Sequence, residues 1–244
     1  MCGDRQPFSV LASAATPNLN LFSADAVQYA GKVWFDDEKN AVDNITDWAL
    51  KQFTAHYKPS KKRPITRDAI FNYVYGVLHD PLYRETYAQN LKREFPRIPF
   101  HGDFWLWADW GETLMGLHIH YEAVAPWPLE RTDSPDAKSA RAGLNPKPIL
   151  RSDPAAGIIV IDSETQLGGV PGEAFAYRLG NRSALDWILD QHKEKTPKDP
   201  TIREKFNTYR FADHKERVID LLARVTRVSV ETTQIVEAMR AAPR

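Results

Sequence analysis

Several kinds of chemistry are absent from this chain. One cysteine is present, Cys2, so an internal disulfide and a cysteine-cluster zinc site are both excluded. No run of about eighteen apolar residues occurs to form a membrane-spanning helix. The N-terminus lacks the charged-then-apolar pattern of a secretory signal, so the cytoplasm is the expected compartment. Net charge is also missing, because 32 Lys and Arg balance 32 Asp and Glu. Only the distribution of charge can then favour a partner. The catalytic vocabulary is thin, with no glycine-rich phosphate loop, no Gly-x-Ser-x-Gly and no His-Glu-x-x-His. His118 and His120 are two residues apart, which on a helix places them on different faces. Helical metal pairs use the four-residue step, so packing is their expected role. Asn145-Pro146-Lys147-Pro148 lacks the second proline and the aromatic of the Asn-Pro-Pro-aromatic motif, and reads as loop. The acid pairs Asp36/Asp37 and Asp186/Asp190 read as a turn and a solvated helix face. No cofactor, no metal and no catalytic residue is expected.

What is present belongs to an ordinary globular protein, 43% hydrophobic and 26% charged over 244 residues, enough for one domain or two small ones. The expected fold is α+β and helix-rich, a helical subdomain packed beside a small mixed β-sheet. Residues 1–42 read as a β-rich entry segment that pairs with 155–178. From residue 43 to 125 the apolar period becomes helical. Thr46, Thr66 and Asp103 can cap helices there, and Asp80-Pro81 starts another with proline in its first turn. Trp48 and Phe53 fall on one stripe, as do Ile70, Phe71, Val77 and Leu78. Tyr83, Tyr87, Leu91 and Phe95 form a third, and Trp107, Trp110, Leu114 and Tyr121 a fourth. Tyr73 and Tyr75 lie off theirs. Residues 126–154 carry many prolines and no period, so they read as a surface loop. Gly157 to Asp162 reads as a buried strand, and a further strand is expected near Ala174 to Tyr177. Residues 211–240 form a long helix whose seam, Val218, Leu221, Val225, Val228, Thr232, Ile235 and Met239, is expected to lie on the helical subdomain.

The most informative stretch runs from Ala176 to Lys195. Gly180 can take the positive φ of a sharp corner, and Asn181 or Ser183 can cap the helix that follows. Leu185, Ile188 and Leu189 give that helix an apolar face. Arg178, Asn181 and Arg182 cluster at the corner, and Arg and Asn are the side chains that engage guanine or adenine edges bidentately. Arg182 in a first turn opposes the helix dipole, so it needs an acidic partner: Asp186 within the chain, or a phosphate. Two basic runs accompany the corner. Lys58, Lys61, Lys62, Arg63 and Arg67 form one; Lys138, Arg141, Lys147 and Arg151 form the other. Lys195, Lys198 and Arg203 follow the helix. Such runs can hold phosphates without reading sequence, or can simply be solvated loops.

Two long strings are distinctive. Tyr73 to Phe100 (Y-V-Y-G-V-L-H-D-P-L-Y-R-E-T-Y-A-Q-N-L-K-R-E-F-P-R-I-P-F) and Ala176 to Gln191 (A-Y-R-L-G-N-R-S-A-L-D-W-I-L-D-Q) resemble the C-terminal specificity region of type ISP restriction–modification enzymes. P-F-S-V-L-A-S, N-I-T-D-W-A-L-K-Q-F and V-S-V-E-T fit the same region. The resemblance implies a target-recognition domain, one unit over nearly the whole chain, that reads double-stranded DNA for a methyltransferase and nuclease polypeptide. The implied DNA-contacting residues are Lys61, Lys62, Arg63, Arg67, Arg178, Asn181, Arg182, Lys195, Lys198 and Arg203. The family's catalytic and cofactor motifs precede this region, so the chain is expected to be a fragment, a separate specificity polypeptide or a relic. Val27 to Phe35 and the loop after Lys195 depart from the family pattern, which bears on the site that is read. The alternative is a protein-interaction module that docks on a methyltransferase without touching DNA.

Overall fold

A computed structural model of the chain describes residues 45–136, 141, 143–195, 199–201 and 209–244. The expected entry segment, 1–42, lies outside them. The described residues form two compact units, one of 45–79, 97–115 and 243–244, the other of 80–96 and 116–242.

The first unit is built on α1 (Asp47–Tyr57), α2 (Arg67–His79) and most of α4 (Phe104–Ile119). Their starts are those expected: Thr46 Oγ1 accepts from Ala49 N at 3.3 Å, Thr66 Oγ1 from Ala69 N at 3.1 Å and Asp103 Oδ1 from Leu106 N at 3.1 Å. The helix faces differ from the stripes. Trp48 is 71% exposed, and Phe53 alone of α1 is buried. Tyr73 and Tyr75 are both buried. Gly76 and Gly111 explain the tyrosines: a Cβ on Gly111 would sit 1.8 Å from Asn72 O, and one on Gly76 2.4 Å from Trp107 O. Backbone thus meets backbone, and α2 is covered around more of its circumference than a single stripe predicts. Tyr73 Oη donates to Pro99 O at 2.8 Å and accepts from His101 N at 2.7 Å, so its burial leaves no polar atom unmatched.

The second unit centres on an antiparallel sheet of β1 (Glu130–Asp133), β2 (Pro148–Asp153), β3 (Ile158–Asp162) and β4 (Thr165–Gly168), ordered β1-β4-β3-β2. Two of these strands come from the 126–154 stretch expected to be loop. All four β1 residues are exposed, and an edge strand of that kind lacks the alternation that reveals strands in sequence. The 155–178 segment therefore pairs with 130–133 and 148–153. Instead of a strand near Ala174 there is a short helix, α5 (Gly172–Ala176), with Pro171 at its N-cap. Then come the two-pair hairpin β5 (Arg178–Leu179) and β6 (Arg182–Ser183), and α6 (Ala184–Gln191).

The long helix α7 (Lys215–Arg240) packs on α5, α6 and α3 (Pro81–Thr86). Its seam residues Val218, Val225, Val228, Thr232 and Met239 are buried. Ile159 and Ile161 of β3, Leu167 of β4, Leu185 and Leu189 of α6, and Leu222 of α7 form the centre of this core. The helix from Pro81 is shorter than expected. Only its first turn is packed, through Tyr83, whereas Tyr87 and Phe95 are exposed. Without burial a short helix does not sustain itself.

Candidate nucleic-acid interface

Gly180 (φ +69°) and Asn181 form the two-residue turn between β5 and β6, in which Leu179 pairs with Arg182 and Arg178 with Ser183. A glycine at the first of two loop positions is the chemistry of a tight hairpin. Ser183 caps α6, accepting from Asp186 N at 3.1 Å and donating to Asp186 Oδ2 at 2.7 Å. Asp186 Oδ1 accepts from Ser152 Oγ of β2 at 2.6 Å. That carboxylate therefore ties the helix start to the sheet edge. Trp187 Nε1 donates to Leu179 O at 2.8 Å, fixing the hairpin against α6 from the other side.

The corner's cations are ordered by these surroundings. Arg182 belongs to β6 and precedes the cap, so it escapes the first-turn dipole. Its acidic partner is Asp190, at 3.0 Å, rather than Asp186, whose carboxylate is already engaged by two serines. Asp190 also meets Lys193 at 3.4 Å. The hydrogen bond from Arg182, and after it that from Lys193, holds the Asp190 carboxyl below the usual aspartate range. Arg182 lies 5.4 Å from the Trp187 ring centroid. Arg178 donates to the backbone carbonyl of Asn181, which steadies the turn. Asn181 is exposed at its tip.

Beside the corner is a cleft of about 280 Å³ between β2 and α6. Arg151, Arg182 and Lys193 bring cations to it, Asp186 and Asp190 carboxylates, and Leu150 and Leu189 its apolar part. Arg151 belongs to the second basic run. Lys193, two residues past α6, carries no motif signal, and lies beside Asp190 by the three-residue step of the helix's last turn.

The run at 61–67 lies in the other unit. Lys61 and Lys62 are exposed on the turn after α1. Arg63 is not free: it pairs with Asp109 and stacks 3.7 Å above the Trp105 ring. Arg67 pairs with Asp47 and donates to Ile45 O at 3.1 Å. Arg67 thus links α2 to the start of α1, and Arg63 ties the loop between these helices to α4. Lys195 is exposed, while Lys198 and Arg203 lie outside the described residues. His118 has a packing role, with Nε2 2.9 Å from Thr232 Oγ1 and its ring stacked on Tyr177.

A family model described as the type ISP C-terminal specificity domain matches residues 1–221. The chain belongs to that family. Among solved structures, the specificity domain is similar to part of DrdV, determined by cryo-electron microscopy as a complex with DNA. The identity is 58% and the TM-score 0.75, over 82% of this chain and 20% of DrdV. It is also similar to a nuclease-deletion mutant of the type ISP restriction–modification enzyme LlaGI in complex with a DNA substrate mimic. There the identity is 29% and the TM-score 0.55, over 72% of this chain and 14% of the other. The ATP-dependent type ISP enzyme LlaBIII, bound to DNA, shares the fold at 22% identity and TM-score 0.56, over 72% of this chain and 11% of its own. The specificity domain thus spans a fifth or less of each of these proteins. No curated protein matches it. Among the described residues, no helix is long and apolar enough to cross a membrane.

Proposed function

We propose that this specificity domain recognises a target sequence in double-stranded DNA on behalf of methyltransferase and nuclease parts carried elsewhere, and performs no chemistry itself. The observation that carries the reading is the 58% identity, over 82% of the chain, to part of a protein solved on DNA. The Gly180 hairpin supports it chemically. Asn181 at the tip, with Arg178 beside it, supplies the donor and acceptor pairs that base edges accept, while Arg182, paired with Asp190, is suited to the backbone. Lys61, Lys62 and Lys195 are suited to phosphates. Arg63 and Arg67 reach DNA only by leaving Asp109 and Asp47, so their proposed contribution is smaller. The docking-module alternative needed an exposed apolar patch on the 218–239 seam, where Val218, Val225, Val228, Thr232 and Met239 are buried and Leu221 and Ile235 half-buried.

The test is binding of the chain to its recognised duplex and to a scrambled one. Asn181→Ala is expected to lose about 1–3 kcal/mol of discrimination. Joint replacement of Lys61 and Lys62 by alanine should weaken both duplexes alike. Absence of any duplex binding at low salt overturns the reading, as does methyl transfer by the chain alone.

A further inference from the structure

Deepening the DNA reading, we infer that the cleft between β2 and α6 seats a phosphodiester of the duplex backbone, and that Asp190 occupies that seat as an internal counter-anion when no DNA is bound. Three elements bring the cations together: Arg151 from β2, Arg182 from β6 and Lys193 from beyond α6. All three are exposed. Two of them converge on a single carboxylate, Asp190, at 3.0 and 3.4 Å. Three cations against the two carboxylates Asp186 and Asp190 leave one positive charge over in the cleft. The other carboxylate, Asp186, accepts one hydrogen bond on each oxygen, from Ser152 and Ser183, and is held at the helix start by them. An arriving phosphodiester offers Arg182 and Lys193 a pair of anionic oxygens equivalent to those Asp190 now provides.

A second, independent feature marks the cleft. Leu150, buried at 2% exposure, has φ +50°, a conformation that costs a residue with a Cβ. It sits where the β2–β3 register slips, Pro148 pairing with Asp162 and Arg151 with Val160. The slip admits one extra residue into β2, and a one-residue shift turns every later side chain to the opposite face. The strained residue is thus what brings Arg151 to the cleft and Ser152 to Asp186. Strain of this kind persists where surrounding structure enforces it, commonly at binding sites. A small enclosed anion would need converging buried donors. These donors are side chains on an open rim next to the hairpin, which suits a backbone that runs past.

The experiment measures binding of the full chain to a labelled random-sequence duplex across a salt series, comparing wild type with Asp190→Asn, Arg151→Ala and Arg151→Glu. Asp190→Asn is expected to bind about threefold tighter. Its log–log salt slope should be steeper, because salt anions replace the lost internal one. Arg151→Ala should bind about threefold more weakly with a slope shallower by about one, and Arg151→Glu more weakly still. Wild type that binds DNA while Asp190→Asn is unchanged or weaker, with both Arg151 variants unchanged, overturns the seat and leaves the DNA reading intact. Wild type that does not bind overturns both. Displacement of the duplex by inorganic phosphate far beyond chloride at equal ionic strength would mark a free-phosphate site and overturn the backbone assignment.

Discussion

At the scale of single residues, ion pairs in this protein differ sharply by burial. Lys215 at the start of α7 meets Asp162 at the end of β3 at 2.7 Å, with side chains 17% and 3% exposed. Asp162 also accepts from the backbone N–H groups of Glu164 and Thr165, at 2.9 and 2.8 Å. Replacing Lys215 with methionine leaves that carboxylate buried without its cation, and is expected to cost about 3 kcal/mol in urea unfolding. A loss below about 1 kcal/mol would place the pair with ordinary surface bridges. Tyr177 makes a prediction about pH. Burial pushes its hydroxyl up to about 12, against a smaller opposing influence from Arg84. The folded state thus holds this proton more tightly than the unfolded chain, where tyrosine titrates near 10. The resulting stability is complete below pH 10 and fades as pH rises from there toward 12. Tyr177→Phe should therefore flatten the alkaline fall in stability while leaving the neutral value nearly unchanged.

At the scale of elements, the crossing of α2 and α4 depends on Gly76 and Gly111 having no side chains. An alanine at 111 puts its methyl 1.8 Å from a backbone oxygen that has no rotamer by which to yield. The helices must move apart, uncovering Trp107 and Tyr73. Gly111→Ala is expected to destabilise by about 3 kcal/mol or more, despite alanine's better helix propensity. Gly116→Ala, with nothing within 4 Å, is the matched control and should be neutral or slightly stabilising. The corner at Gly180 is built in the opposite way. It is pinned by local bonds: Trp187 to Leu179, Arg178 to Asn181 and Ser183 to Asp186. Under the proposed function, a corner held by short-range contacts presents Asn181 in one geometry before any duplex arrives, which lowers the ordering cost of binding.

At the scale of the whole molecule, a formal net charge of zero limits how the proposed DNA partner would be attracted. Without a global positive field, affinity has to come from a few local contacts. A log–log salt slope of about −3 is expected, the value for about three displaced counterions. A slope of about −8 would mean a far more extensive cationic surface than the corner and the 61–62 turn provide.

What the chain's letters determined, and what they left open, divides by the range of the interaction. Helix caps at Thr46, Thr66, Asp103 and Ser183, the corner at Gly180 and the buried β3 are local matters of three or four residues, and were legible. So was family membership, carried by long strings whose meaning does not depend on contacts. Folding in three dimensions decided the rest. Tyr73 is buried because a glycine 38 residues later lets a helix approach. β1 and β2 become strands through partners on β4 and β3, with no alternation of their own. Arg182 chose Asp190 over Asp186 because serines from β2 and β6 had already taken the nearer acid. Charge and burial are shared among residues distant in sequence, and only the assembled fold settles which partner each side chain finds.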